Sequence, residues 1–390
     1  MTRVRELRGA RVAVVNWRDP WHSLAGGSER YAWEFATALS DAGARVEFLT
    51  ARDVHQDAGG WHGDIRVRRG GTQFTFYPWV WWQLLRRTLT GRAYDVVIDA
   101  ENGIPVFSPM LLPRRSVVIL VMHHVHQEQF RTYFPPALAM LGRWLEAWLM
   151  PRVYRRVPTL AVSDSTRAEM LSQLAWDRPV EIVHNGADVP AHVGGRPDPD
   201  RLVVLGRLAT HKRIDLVVRA VSRLVEERPT LHLDIVGKGP EESRLRSLVG
   251  ELGLGEHVRL HGYLDEDDKH RVLGLSSFHI CASDAEGWGQ VVIEAAAYGL
   301  PTLARDVPGL RDSIRSGETG WLVDTAGLDE AGVVNGLVAG IREASQDLED
   351  DATREAFAAR CRDWADRFSW KRMHDLTIGV VNRELASRGR

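Results

Sequence analysis

Short apolar runs alternate with stretches of helical periodicity along the whole chain. The segments "RVAVVNW" (11–17), "RVEFLT" (45–50), "DVVID" (95–99), "SVVILVM" (116–122), "TLAVS" (159–163) and "VEIVHNG" (180–186) read as strands. Their β-branched content and turn-like flanks suit parallel strands covered on both faces. The stretch "GADVPAHVGGRPDPDR" has no periodicity and reads as a linker. Beyond it the alternation restarts with "RLVVLG" (201–206), "LHLDIVG" (231–237), "HVRLHG" (257–262), "SFHICAS" (277–283), "LPTLAR" (300–305) and "GWLV" (320–323). Two successive β/α series predict an α/β protein of two doubly wound, Rossmann-like domains, 1–195 and 196–370. The tail reads as helix, with a break near Ser369–Trp370 and a final helix over 371–390.

Composition changes this picture little. A chain of 390 residues suits two domains, and 44% hydrophobic with 26% charged residues is ordinary for a soluble protein. The net charge of -2 gives no reason to expect nucleic acid. Arginine outnumbers the acids before residue 195 and the balance reverses after it. The lysines are few: 212, 238, 269 and 371. Cys281 and Cys361 cannot build a disulfide framework, and no zinc-type spacing accompanies them. With no signal-like start and no long apolar span, a cytoplasmic protein is expected.

Six constellations carry candidate chemistry. "GRLATHK" (206–212) follows the first strand of the second domain, so Arg207 and Lys212 could converge on an anion, or be two solvated cations. "VGKGP" (236–240) is an ordinary strand-to-helix turn, weak as a phosphate signal. In "DAEGWGQVVIEAAAYGLP" (284–301) a helix begins near Gly289, Gln290 and Val291, whose N–H groups would attract a diphosphate. Glu286 and Glu294 flank that start and suit hydroxyl donors, as on a sugar or ribose; otherwise they are a helix-dipole acid and a surface acid. "GGSER" (26–30) offers Gly26 and Gly27 for close approach of a ligand, with Ser28 as N-cap, or is a generic turn.

His123, His124 and His126 end a very apolar strand, near Glu101 and Asn102 of "DAENG". No carboxylate or Cys accompanies these histidines at helical ligand spacing, so no metal is expected; a neutral imidazole suits a substrate hydrogen bond. Finally, 74–87 and 138–156 combine Trp with Arg, and Leu138, Leu141, Leu145, Trp148 and Arg152 recur at helical spacing. Such a helix fits either a bilayer interface or a core with a basic edge.

In order and over essentially the whole chain, these motifs resemble the retaining glycosyltransferases of family 4, which have the GT-B fold. The Arg207/Lys212 pair and the Glu-x7-Glu of Glu286 and Glu294 are the specific elements. The resemblance implies two Rossmann-like domains facing a cleft, with the last helix crossing back to the first domain. It implies transfer of a hexose-type sugar from a UDP- or GDP-sugar to an acceptor hydroxyl, without metal or cofactor. Arg207 and Lys212 would neutralise the leaving diphosphate, and Glu286 would accept from donor-sugar hydroxyls. Gly287, Trp288 and Gly289 would present backbone to that sugar, with Trp288 reshaping the pocket. Gln290 and Val291 would bind phosphate, Glu294 the ribose, and His123, or its neighbour His124, the donor sugar. The basic first domain suggests a glycan, lipid-linked or small-molecule acceptor and association with the inner face of a membrane. A same-fold epimerase or phosphorylase, or a non-catalytic nucleotide-sugar-binding protein, are the alternatives.

Overall fold

The computed structural model describes residues 7–72, 75–188 and 196–389. It divides into two compact units, 1–186 with 370–390, and 187–369. The first boundary therefore falls at Gly186, where 195 was expected. Residues 189–195 of the expected linker and Phe74 lie outside the described residues.

The first unit opens with β1 (Arg11–Val15), α1 (Gly27–Asp41), β2 (Arg45–Thr50), β3 (Gly59–His62) and β4 (Ile65–Arg69). It continues through α2 (Phe76–Leu89), β5 (Val96–Glu101) and β6 (Val117–Met122). Then come α3 (Gln127–Tyr133), α4 (Pro136–Trp144), a π-helical turn (Leu145–Leu149) and α5 (Met150–Val153). β7 (Thr159–Ala161), α6 (Asp164–Gln173) and β8 (Val180–Ile182) complete the sheet. Its order is β3-β4-β2-β1-β5-β6-β7-β8, parallel except for the β3–β4 hairpin. All six residues of β6 are buried, as its unbroken apolar run requires. The hairpin was not predicted. In "IRVRR" only Ile65, Val67 and Arg69 turn inward, and the intervening arginines make the segment read as polar loop. The buried Arg69 is paired with Asp19 at 2.5 Å.

The second unit runs β9 (Arg201–Leu205), α7 (Ile214–Leu224), β10 (His232–Val236), α8 (Glu242–Glu251) and β11 (Val258–Gly262). It proceeds through α9 (Glu266–Leu275), β12 (Phe278–Cys281), α10 (Gln290–Ala297), β13 (Thr302–Arg305) and α11 (Pro308–Ser313). It ends with β14 (Gly320–Val323), α12 (Glu330–Asp347) and α13 (Asp351–Ala365). The sheet is wholly parallel, ordered β11-β10-β9-β12-β13-β14. Each sheet thus reverses its winding beside its first strand, between β1 and β5 and between β9 and β12. In open α/β sheets that reversal opens a ligand crevice at the carboxyl ends of the strands.

The last helix, α14 (Trp370–Ser387), belongs to the first unit. It lies against α1, where Arg30 stacks 4.8 Å over Trp370 and His374 meets Glu34 at 2.8 Å. Met373, Thr377, Val380 and Val381 form its buried stripe. Val381→Asp is expected to destabilise the first unit by about 3 kcal/mol, since a carboxylate would enter a dry contact. Breaking the exposed Lys371–Asp375 pair with Lys371→Ala should cost no more than about 0.5 kcal/mol. Urea denaturation followed by circular dichroism measures both.

Candidate active site

The second unit's candidate residues gather where its sheet changes direction. Gly206 follows β9 with φ +129°, and Gly237 follows β10 with φ +141°. A Cβ on Gly237 would stand 1.9 Å from the Gly206 carbonyl oxygen, and one on Gly239 2.2 Å from that of Leu208. The glycines of "VGKGP" therefore serve the close approach of two adjacent strand ends, which agrees with their structural reading.

Past Gly206 the chain makes one 3-10 turn, Thr210–Lys212. The loop after β12 returns to it: the Asp284 N–H donates to the His211 carbonyl at 2.8 Å. A second backbone bond, Gly309 N–H to the Glu286 carbonyl at 3.1 Å, ties the loop to the start of α11. A side chain at Gly309 would stand 2.2 Å from that oxygen. So held, Glu286 accepts from the Lys212 ammonium and, at 2.7 Å, from the Ser283 hydroxyl. The two residues assigned separately to phosphate and to sugar thus form one ion pair. Both side chains are largely buried, 17% and 13% exposed. Burial opposes the charge on Lys212, but Glu286 outweighs it and raises the pKa. The neighbours stay neutral: burial, then the Lys212 charge, pushes His211 down to about 4 and His279 to about 3. Arg207 is a further cation felt by Lys212 and His211.

Helix α10 starts beside this pair. Its N-cap, Gly289, admits no side chain, since a Cβ would lie 2.2 Å from the Ser313 hydroxyl. The Gln290 N–H already donates to the Trp288 carbonyl at 2.8 Å, which corrects the expectation that it waits unpaired for a phosphate. The Gln290 side chain donates to Glu294 at 3.3 Å, one turn along. Val291 packs on two small apolar clusters beneath the helix. Trp288 is buried with its ring 5.0 Å from that of Phe368. Its bulk packs within the second unit. Gly287 lies between these two anchored residues.

In the first unit, α1 is capped differently from the expectation. Gly26, not Ser28, is the N-cap, and its φ of -156° is extended backbone open to any residue. The buried Glu29 reaches back to accept the Gly26 N–H at 2.7 Å and the Arg18 Nε–H at 2.8 Å. Gly27 is the first helical residue. A protein carboxylate therefore already occupies this helix start, and a phosphate there would meet a like charge.

His123 follows β6, buried, with its ring edge-on to Tyr31 at 5.4 Å. Burial lowers its pKa to about 4, and its Nε2 has no hydrogen-bond partner. A neutral imidazole with an open nitrogen results. His124 is half-buried, its ring tilted against that of His126 at 3.9 Å. Burial opposes a charge on His126, but Glu101 and then Glu146 outweigh it and push its pKa up to about 10. Asn102 instead bonds Asn16. Sequence reasoning missed Glu29, Glu146 and Ser283. A Glu three residues beyond a helix cap is a readable signal for the first. Nothing local marks the other two.

Comparison with known proteins matches the geometry. Residues 25–190 match the model described as Glycosyltransferase Family 4, and residues 191–357 match Glycosyl transferases group 1. Phosphatidyl-myo-inositol mannosyltransferase of Mycobacterium tuberculosis is 32% identical over 364 residues, covering 89% of this chain and 90% of that one. Glycogen synthase of the same organism is 26% identical over 403 residues, covering 95% and 94%. Among solved structures, sucrose-phosphate synthase from Thermosynechococcus elongatus superposes with a TM-score of 0.78 at 20% identity, covering 97% and 99%. A glycosyltransferase from Rickettsia africae gives 0.71 at 17% identity, with the same coverage. With two parallel-sheet units, the Lys212–Glu286 pair at the second sheet's winding reversal and matches spanning nearly its whole length, the chain belongs to glycosyltransferase family 4 and has the GT-B fold.

Proposed function

We propose that the protein is a retaining transferase that moves a hexose-type sugar from a UDP- or GDP-sugar to an acceptor hydroxyl, with no metal at the reaction centre. The observation that carries this reading is the Lys212–Glu286 ion pair beside the start of α10. Arg207 and Lys212 stabilise the charge that grows on the diphosphate as its bond to the sugar C1 breaks. The electron pair leaves with the diphosphate, the acceptor oxygen attacks from the same face, and its proton passes to a leaving phosphate oxygen. Glu286 accepts donor-sugar hydroxyls, and its contact with Lys212 holds it in place. Glu294 holds the ribose. Incubation with UDP- and GDP-sugars should release nucleotide diphosphate only when an acceptor is present, whereas a same-fold epimerase would isomerise the donor without one. Lys212→Ala and Glu286→Ala should each lower kcat by about 10²–10³-fold, the scale of losing one charge-stabilising group. Full turnover in both variants overturns the site.

For the acceptor we infer a lipid-linked or cell-envelope glycan, reached from a membrane surface. No helix of the described residues is long and apolar enough to cross a membrane. Leu138, Met140, Leu141, Trp144 and Trp148 are nonetheless exposed on α4 and the π-turn. The two indoles stack at 4.9 Å, and Arg152 lies 4.0 Å over Trp148. Leu145, expected on that stripe, packs partly against the core. Aromatic rings beside arginines suit an anionic interface. The lipid-acceptor mannosyltransferase name of the relative supports the same class. The protein should float with anionic liposomes at low salt, and Trp144→Ala with Trp148→Ala should abolish it. No flotation of the native protein sinks the membrane reading.

Neutral histidines, buried or partly buried, also set a pH dependence. His123, His211 and His279 are neutral when folded but protonate near 6.5 when unfolded. Their contribution is complete above that value and is lost as pH falls toward about 4 for His123 and His211 and about 3 for His279. Each fully buried group adds a slope of up to about 1.4 kcal/mol per pH unit. Urea midpoints measured between pH 7 and pH 5 (about the range in which an ordinary histidine titrates) should fall less steeply in His279→Gln than in the native protein.

A further inference from the structure

The run of histidines after β6 has no carboxylate at helical ligand spacing, so the sequence predicts no metal there. Folding supplies two. Glu101, the last residue of β5, and Glu146, in the π-helical turn, both point at His126, the N-cap of α3. The ligating atoms of all three lie within 4.8 Å of one another, and all three residues are buried. Glu101 and Glu146 have no measurable exposure, and His126 is 8% exposed. We propose that Glu101, His126 and Glu146 form a binding site for one divalent transition-metal ion of the zinc type, separate from the donor site.

The distances favour an ion over a proton. His126 Nδ1 stands 3.3 Å from Glu101 Oε1 and 3.5 Å from Glu146 Oε1. A charge-assisted N–H···O bond closes to about 2.7–2.9 Å, so a proton on Nδ1 makes only long contacts with the two carboxylates. Ligands about 2.0–2.1 Å from a tetrahedral ion stand some 3.4 Å apart, which is the spacing found here. Two atoms of the cluster, His126 Nδ1 and Glu101 Oε2, are buried without any hydrogen-bond partner. A polar atom buried without a partner is costly, and once an ion displaces the imidazole proton both atoms are good zinc donors. The three residues supply three donors of a tetrahedral set, one atom each.

The surrounding bonds hold the donors in place as the outer contacts of a metal site do. Glu101 Oε1 accepts the Gly103 N–H at 2.9 Å. Glu146 Oε1 accepts the His126 N–H at 2.6 Å, and its Oε2 accepts from Gln127 Nε2 at 2.6 Å. Gln127 is itself bonded by Arg143 Nε at 3.1 Å. The fully buried Glu146 lies within the π-turn, on a segment whose other face exposes Trp144 and Trp148. Single π-turns of this kind are frequent at functional positions. An ion here joins the ends of β5 and β6 to the helix of the Trp/Arg surface, and so fixes the segment that carries His123 and His124. Two carboxylates and one imidazole suit Zn²⁺ better than Ca²⁺ or Mg²⁺, which take oxygen alone.

The test uses the full chain, freed of metal by a chelator and dialysed, and titrated with Zn²⁺ alone by calorimetry. One equivalent should bind, raise the thermal midpoint, and be replaceable by Co²⁺ with the visible absorption of a tetrahedral centre. Glu101→Gln and Glu146→Gln preserve shape but remove a charged ligand, and each should weaken Zn²⁺ binding at least about tenfold, the lower end for lost metal contacts. His55→Ala, which removes an exposed histidine, should leave it unchanged. Native protein that takes up no Zn²⁺ overturns the proposal whether or not the variants fold. So does equal affinity in native protein and a folded Gln variant, which assigns the bound ion to surface histidines. Either failure leaves nucleotide release, and with it the transferase reading, untouched.

Discussion

The structure rests on one constraint: parallel strands must be covered on both faces, so each chain segment leaves a strand's carboxyl end and returns as a helix. Where the winding reverses, two neighbouring strands send their loops to opposite faces of the sheet, and the backbone opens between them. In the second unit those strands are β9 and β12. The loops after them are the ones that meet, through the Asp284–His211 backbone bond and the Lys212–Glu286 pair. Gly206, Gly237 and Gly309 then allow backbone to approach backbone where a Cβ would collide or a left-handed φ is needed. The site follows from the sheet's topology.

The ion pair makes sense in that setting. Alone, two largely buried charges are a poor source of stability, because desolvation offsets most of their attraction. Here the titratable groups packed nearest the pair add no charge of their own. His211 and His279 are neutral, Cys281 is held protonated by burial, and Ser283 donates a further hydrogen bond to Glu286. A cation preset in a site that excludes water is worth more to a developing phosphate charge than one on the surface, because no solvent must be reorganised. The pair also explains the lysine in a chain that otherwise favours arginine. A single ammonium meets one carboxylate oxygen shared with a serine, a geometry that a planar guanidinium does not match.

The first unit uses the same materials differently. Its helix start after β1 is filled by Glu29, and the histidines after β6 divide into a neutral His123 and a His126 set between two carboxylates. Residues one turn apart in sequence thus have opposite electrostatic characters. The difference comes from what β5 and the π-turn bring against them, not from the histidines themselves.

Much of this was legible in the chain. Unbroken apolar runs of β-branched residues determine a parallel α/β fold, because only strands covered on both faces tolerate such runs. Arg207, Lys212, Glu286 and Glu294 stand out by residue type and spacing, since a diphosphate needs cations and hydroxyls need carboxylates. The β3–β4 hairpin was not legible, because an edge strand with alternating arginines buries too little to show a pattern. Nor was the pairing of Lys212 with Glu286, which lie 74 residues apart. The inward turn of Trp288 toward Phe368 and the arrival of Glu146 beside Glu101 and His126 were equally hidden. Sequence alone determined which groups are present and which strands must be buried. Tertiary structure alone decided which charges are neighbours, because contact across a parallel sheet depends on strand order, and strand order leaves no local trace in the residues.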